Sequence, residues 1–304
     1  MVINTLRCYD LIKVRSGEIL TLNGNFDRSY CRATLSFYPS QSGNRSIDGI
    51  RYQKVTYEIG YQILQLKKLL DLPGQQHFLV SRVNILKVYN ATNAFSHLSS
   101  DEKKECKQFI NLLFNSCHLD KSAHGLTGSS ALQCRVPTSD FDWVLYTHDL
   151  NSVQASVASF LKSFTFDIEH AYRKYAIFTG LHKEDIDSLF KIRWRYFLFG
   201  NLHISINFVD SNMRADNLFD TRECGEQIIL RGAVTDCRGC YYSPYIIPIT
   251  SEGKSYTILT WIYLYNGAFS TGDIVDISGR KCIIQDQEYI VVEKPSDYIR
   301  KLIT

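Results

Sequence analysis

The chain has 304 residues, 45% of them hydrophobic and only 6 of them proline, which excludes a disordered or collagen-like chain and leaves room for two or three packed units. Its net charge of +3 lacks the strong basic excess of a dedicated nucleic-acid binder, while still permitting such a partner. No run of about 18 apolar residues occurs, so no membrane-spanning helix is expected.

The nine cysteines are odd in number and scattered over a long chain, which argues for thiols rather than a disulfide framework. The opening stretch MVINTLRCYDLIKVR lacks the apolar core of a signal peptide, so a cytoplasmic location is expected.

Residues 1–75 read as a β-rich region with one helix. Ile19 to Leu22 form a strand that the Asn23-Gly24 pair turns, and Arg32 to Tyr38 alternate like a second strand. Residues 39–48 are polar and loop-like, and 57–71 carry apolar residues at helical spacing up to Pro73-Gly74. Residues 80–90 read as a connector with a short helix or strand. A helix is expected from Ser100, its N-cap, to about Cys117, with Asp101 and Glu102 in its first turn. Further helices are expected over 153–164, 168–178 and 183–192, then strands over 195–200 and 203–209. Residues 211–225 form a polar linker. After it, short strands over 227–234, 256–265, 273–277, 280–284 and 288–293, punctuated by glycines, predict a small β-barrel-like domain over 222–304. A short helix is expected at 296–302.

The chemistry concentrates in HGLTGSSALQCRVPTSDFDWVLY, residues 124–146. Gly128, Ser129 and Ser130 make a small-residue turn whose N–H groups and hydroxyls suit a phosphate. After ten intervening residues from Ser129 come Asp140 and Asp142, spaced to share one face of a strand. Two carboxylates so close repel unless a cation lies between them. Mg²⁺ or Mn²⁺ is the usual solution, because such ions take one or two carboxylates together with substrate phosphates. Ser139 is positioned to hydrogen-bond the intervening loop. The plainer alternative is a Gly-Ser turn beside a strand with two solvated acids.

Thr127-Gly128-Ser129 followed by Ser139-Asp140-Phe141-Asp142 resembles the signature of the DNA polymerase β-like nucleotidyltransferase superfamily. More widely, the chain resembles an archaeal-type uncharacterised "predicted nucleotidyltransferase" family with a C-terminal β-domain. The wider likeness is carried by residues 32–39, 80–89, Arg193-Trp194-Arg195 with Phe199-Gly200, 205–209, 232–234, 242–245 and 272–275. The resemblance implies an α+β fold, with a nucleotidyltransferase core of mixed sheet and helices over 76–215. It implies that Gly128, Ser129 and Ser139 help bind the nucleotide and that Asp140 and Asp142 bind metal. The substrate would be a nucleoside triphosphate, ATP among the candidates, and the acceptor a hydroxyl of RNA or another nucleic acid, a protein or a small molecule.

Active members of that superfamily add a third acid on a later strand. Here the matching strand presents His203, Ser205 and Asn207 on its polar face. Asp210 falls off that face by alternation unless a bulge intervenes, and Asp167 and Glu169 are further options. The possible third positions are therefore Asn207, Ser205 and Asp210. A catalytically silent nucleotidyltransferase fold that binds nucleic acid or protein is the competing expectation.

Arg193 and Arg195 share a strand face and suit phosphate contacts, or else a salt-bridged surface. Cys237 and Cys240 form a lone pair, too few for structural zinc and more simply two cysteines at a turn. Trp261, Tyr263 and Tyr265 alternate as if on one barrel strand, where they would stack bases or fill a core.

Overall fold

A computed structural model describes residues 6–25, 29–55, 77–117, 119, 124–136, 139–147, 156–157, 159–160, 164–166, 169, 172, 181–189, 197–200, 202–210, 223–242, 244–284, 286–294 and 296–302. The chain is mixed α and β, with strands predominating.

The first sheet holds seven strands among the described residues: β1 (Leu11–Val14), β2 (Ile19–Asn25), β3 (Tyr30–Pro39), β4 (Arg45–Ile47), β5 (Ile50–Lys54), β6 (His77–Ser81) and β7 (Ile85–Tyr89). Its order is β4-β5-β3-β2-β1-β7, and β6 pairs with β3. The ten-residue β3 is long enough to pair with both β5 and β6, at Phe37 to Pro39 and at Tyr30 to Thr34 respectively. Asn23-Gly24 does not turn the chain. β2 runs through it and absorbs it as a register shift between Leu22 and Gly24. The loop expected over 39–48 contains β4, and the connector over 80–90 contributes β6, a 3₁₀ turn and β7. This sheet therefore extends past residue 75. The helix expected over 57–71 lies outside the described residues.

Helix α1 (Ser100–Cys117) follows. Its start is set by Ser99 rather than Ser100. The Glu102 N–H donates to Ser99 Oγ at 3.3 Å, while the Glu102 carboxylate accepts from the Ser99 N–H at 3.0 Å. That is a reciprocal capping box, satisfying donors that the first turn cannot pair itself. Cys106, Phe109, Ile110, Leu113, Phe114 and Cys117 recur every three or four residues and are all buried, so one face of α1 enters the core.

The second sheet is built from β8 (His124–Leu126), helix α2 (Gly128–Ala131) at its margin, β9 (Phe141–Thr147), β10 (Thr165–Phe166), helix α3 (Lys183–Leu189), β11 (Phe197–Phe199) and β12 (Leu202–Asp210). Its strand order is β10-β11-β12-β9-β8. β12 runs parallel to β9, and β8 antiparallel to it. Of the helix expected over 153–164, the described residues 156, 157, 159 and 160 are helical and 164 is a bend. Of that over 168–178, only 169 and 172 are described.

Phe141, Trp143 and Leu145 share one face of β9 and are buried in the main core with α1. Phe109 sits at the centre of that contact, its ring 6.1 Å from Trp143, 5.7 Å from Phe197 and 5.5 Å from Phe199.

The third sheet contains β13 (Glu223–Val234), β14 (Tyr245–Ser251), β15 (Lys254–Thr260), β16 (Ile274–Ile284), β17 (Gln287–Val292) and β18 (Tyr298–Lys301). Its order is β13-β14-β15-β17-β16-β18, and β13 also pairs with β16. Five strands thus close into a barrel, as the glycine-punctuated strands predict, with β18 added beside β16. Several details differ. The strands expected over 273–277 and 280–284 are one strand, Ile274–Ile284, β14 was missed, and the helix expected at 296–302 is β18.

The expected aromatic strand over 256–265 ends at Thr260, and Tyr263 to Tyr265 form a 3₁₀ turn. Trp261 is 7% and Tyr265 0% exposed. The Tyr265 hydroxyl accepts the Ile299 N–H at 2.9 Å, and the Arg32 guanidinium of β3 lies 3.7 Å from the Trp261 ring centroid. These two residues fill the interior instead of offering a base-stacking surface. Cys240 is buried and Cys237 half-buried, both as free thiols at a 3₁₀ turn. Cys282, opposite Cys224 across the β13–β16 ladder, is disulfide-bonded, unlike the thiols expected from the sequence. No helix among the described residues is long and apolar enough to cross a membrane.

Replacing the capping hydroxyl in Ser99→Ala is expected to cost about 1 kcal/mol, while Ser100→Ala stays within about 0.5 kcal/mol. Urea unfolding followed by far-ultraviolet circular dichroism checks this. Equal losses for the two variants would refute the assignment of Ser99 as the cap.

Candidate functional site

Pairing puts the two halves of the signature together. Leu126 of β8 lies opposite Trp143 of β9, and the next N–H along, that of Thr127, donates to the Asp142 carbonyl at 2.9 Å. The chain then turns at Gly128, which has φ of +61°. A Cβ on Gly128 would come within 2.8 Å of Asp142 Oδ2. A side chain here would meet both a left-handed backbone and a carboxylate, so only glycine lets the turn approach so closely.

Thr127 directs its hydroxyl away from α2. Its Oγ1 donates to the Tyr9 carbonyl at 2.6 Å, so α2 has no side-chain cap. Ser129 and Ser130 are 5% and 2% exposed. The Tyr146 hydroxyl donates to the Cys8 carbonyl at 3.1 Å, so residues 8 and 9 buttress both the turn and β9.

On its other side Asp142 meets β12. Ser205 is its register partner, and Ser205 Oγ donates to Asp142 Oδ1 at 2.6 Å. Asp142 is half-buried between the Gly128 turn and Ser205. Asp140 is half-buried just before β9, where alternation puts it on the same face.

Of the possible third positions, Ser205 therefore lies beside the acid pair. Asn207 is 2% exposed and donates through Nδ2 to the Trp143 carbonyl at 3.3 Å, leaving its buried Oδ1 without a partner. Asp210 pairs with Thr147 at the far end of β12, five rows from Ser205 or roughly 16 Å at the usual strand rise. The β12–β9 register is unbroken over those rows, so no bulge returns Asp210 to the Ser205 face. Glu169 is exposed and paired with Lys183. Asp167, Arg193 and Arg195 lie outside the described residues.

Ser139 closes its own loop. Its Oγ accepts the Val136 N–H at 3.0 Å and its N–H donates to the Val136 carbonyl at 2.8 Å. The sequence reading passed over Arg135. Its Nη2 donates to the Ser139 carbonyl at 2.9 Å, its Nε lies 3.2 Å from Glu102 Oε1, and its guanidinium stacks 3.3 Å from the Phe141 ring centroid. Burial lowers its pKa, opposed by the negative charge of Glu102 and, more weakly, of Asp140 and Asp142. The one cation between Cys134 and Phe141, five residues before Asp140, was the available signal.

His124, at the start of β8, lies among aromatic rings, 5.3 Å from Phe114 and 5.4 Å from Trp143 between centroids. Its Nδ1 is buried without a partner, and burial pulls the imidazole pKa below the usual histidine range. It belongs to the core rather than the site.

No cluster of three or more His, Cys, Asp or Glu able to hold a metal occurs among the described residues. The donor set fits a cation shared with a ligand: two half-buried carboxylates, a hydroxyl beside one of them, and a turn brought against that same carboxylate by the missing Cβ. Comparisons with protein-family models, curated proteins and solved structures found no match to this chain.

A histidine with a depressed folded pKa stays neutral while the unfolded chain takes up a proton below about pH 6.5. Its contribution to stability is therefore complete above that pH and is lost as pH falls. The urea midpoint of the native chain should fall more between about pH 7.5 and pH 5.5 than that of His124→Phe. Parallel falls would refute the role given to His124.

Proposed function

We propose that the protein is a metal-dependent nucleotidyltransferase of the DNA polymerase β-like kind. It would move a nucleoside monophosphate from a nucleoside triphosphate to a hydroxyl of a nucleic acid, a protein or a small molecule. The observation that carries this reading is the seating of the Gly128 turn against the Asp142 carboxylate, so close that no Cβ fits between them. A turn suited to phosphate oxygens and a pair of carboxylates suited to Mg²⁺ or Mn²⁺ adjoin at one end of β9. Asp140 and Asp142 would hold the ion, and the backbone at Gly128 and Ser129 would face the triphosphate. When bound, the ion supplies charge neutralisation for phosphoryl transfer. The chain's own part is positioning: the β8–β9 pairing fixes the distance between turn and acids before any ligand arrives.

The Ser205–Asp142 hydrogen bond favours a second reading. A hydroxyl occupies the row beside Asp142 where the resemblance leads one to expect an acid. Two carboxylates and a hydroxyl suffice to bind a metal–nucleotide complex, and a silent fold that binds nucleotide, nucleic acid or protein would keep them.

Incubation with each labelled nucleoside triphosphate, Mg²⁺ or Mn²⁺, total RNA and protein extract separates the two readings. Transfer lost in Asp140→Ala/Asp142→Ala supports the enzyme. Metal-dependent nucleotide binding without transfer supports the silent fold, and neither binding nor transfer overturns both. Gly128→Ala is expected to weaken metal-dependent nucleotide binding on the order of tenfold or more, because the added Cβ displaces the Asp142 carboxylate. It should also lower stability by about 1–2 kcal/mol through its left-handed backbone. Unchanged affinity measured by calorimetry would sink the proposed role of the turn.

A further inference from the structure

We infer that Arg135 is the positioning residue of the carboxylate pair, holding the loop before β9 so that Asp140 and Asp142 stand ready for a divalent cation. This rests on the metal–nucleotide reading of the site. Arg135 is anchored on three sides. The Glu102 carboxylate holds it from α1, the Ser139 carbonyl accepts from it one residue before Asp140, and the Phe141 ring between the two acids lies beneath it.

Phe141 is 1% exposed and faces the core, on the side of β9 opposite Asp142. Arg135 thus packs behind the acids rather than over them. It fixes Ser139 and Phe141, the two residues that bracket Asp140. Its side chain is 16% exposed, so the contacts are shielded and the fork geometry matters more than at an open surface.

Glu102 is also the reciprocal partner in the Ser99 capping box. The first turn of α1, Arg135 and the acid-bearing loop are therefore one connected unit. A lysine would keep the charge but could not stack flat on Phe141 while donating to Ser139 and pairing with Glu102. A methionine could still pack on Phe141 but would lose the Ser139 and Glu102 contacts and the charge over the ring.

The test is Mn²⁺ titration followed by electron paramagnetic resonance, with and without a non-hydrolysable nucleoside triphosphate analogue, at a temperature well below unfolding. It compares the native chain with Arg135→Lys, Arg135→Met and Glu102→Gln. Support for a ligating carboxylate by an outer residue is typically worth about 10–100-fold in metal affinity. Arg135→Met is expected to lose affinity in that range and Arg135→Lys to lie between it and the native chain. Glu102→Gln, which leaves Arg135 on Phe141 and Ser139, should lose less than Arg135→Met. If Arg135→Met does not fold, Arg135→Lys and Glu102→Gln carry the comparison. Native affinity in every folded variant would overturn the role of Arg135 while leaving the metal site standing. Failure of the native chain itself to bind Mn²⁺ in either condition would overturn the metal reading, and this inference with it.

Discussion

Strand β9 is covered on both faces, and that constraint decides where its acids can be. Phe141, Trp143 and Leu145 pack into the core beneath α1, while Val144 and Tyr146 are buried on the opposite face. A carboxylate in the middle of such a strand would face a desolvation cost of several kcal/mol without a partner. The two acids instead occupy the start of the strand, where both are half-buried. Their neighbours are polar: the Gly128 turn on one side and Ser205 on the other. The apolar run that makes the segment read as a buried strand also pins the acids at its open end.

Much of this was legible because it is local. Helix α1 announces itself by the spacing of its six buried residues and by two acids in its first turn. β12 was visible in its alternation, and the turn and acid pair in their residue types. The failures were of two physical kinds. Where a single hydrogen bond decides, as at Ser99, one residue's difference in a cap is invisible to periodicity. Where a distant segment decides, composition misleads. Asn23-Gly24 is a good turn pair, yet β3 is long enough to hold β2 straight through it. Residues 296–302 yield β18 rather than a helix because β16 offers them an edge.

The site shows the same division. The acid pair and glycine could be named from sequence, since their roles follow from their own chemistry. Arg135, Tyr9 and Cys8 could not, because their importance is relational: one guanidinium and two backbone carbonyls acquire meaning only after folding. The aromatic residues after Thr260 show a choice that only the fold decides. Their alternation fitted a stacking face or a core equally, and a 3₁₀ turn and the approach of Arg32 put Trp261 and Tyr265 inside.

The barrel closes unevenly. β13 and β16 are paired in nine rows, from Glu223 with Ile283 to Ala233 with Ile274. β13 and β14 meet in only two, Ala233 with Thr250 and Val234 with Ile249. Along most of its other edge β13 has no strand neighbour among the described residues, and Ile229 is 74% exposed there. The ring is thus a band fastened by a short clasp. Its first excursions from the closed form should part β13 from β14, because that opening breaks the fewest bonds. Amide exchange would then quicken first at Thr235, whose N–H donates to the Pro248 carbonyl at 2.9 Å, while Val234, bonded to the Asp273 carbonyl, stays protected with the β13–β16 ladder.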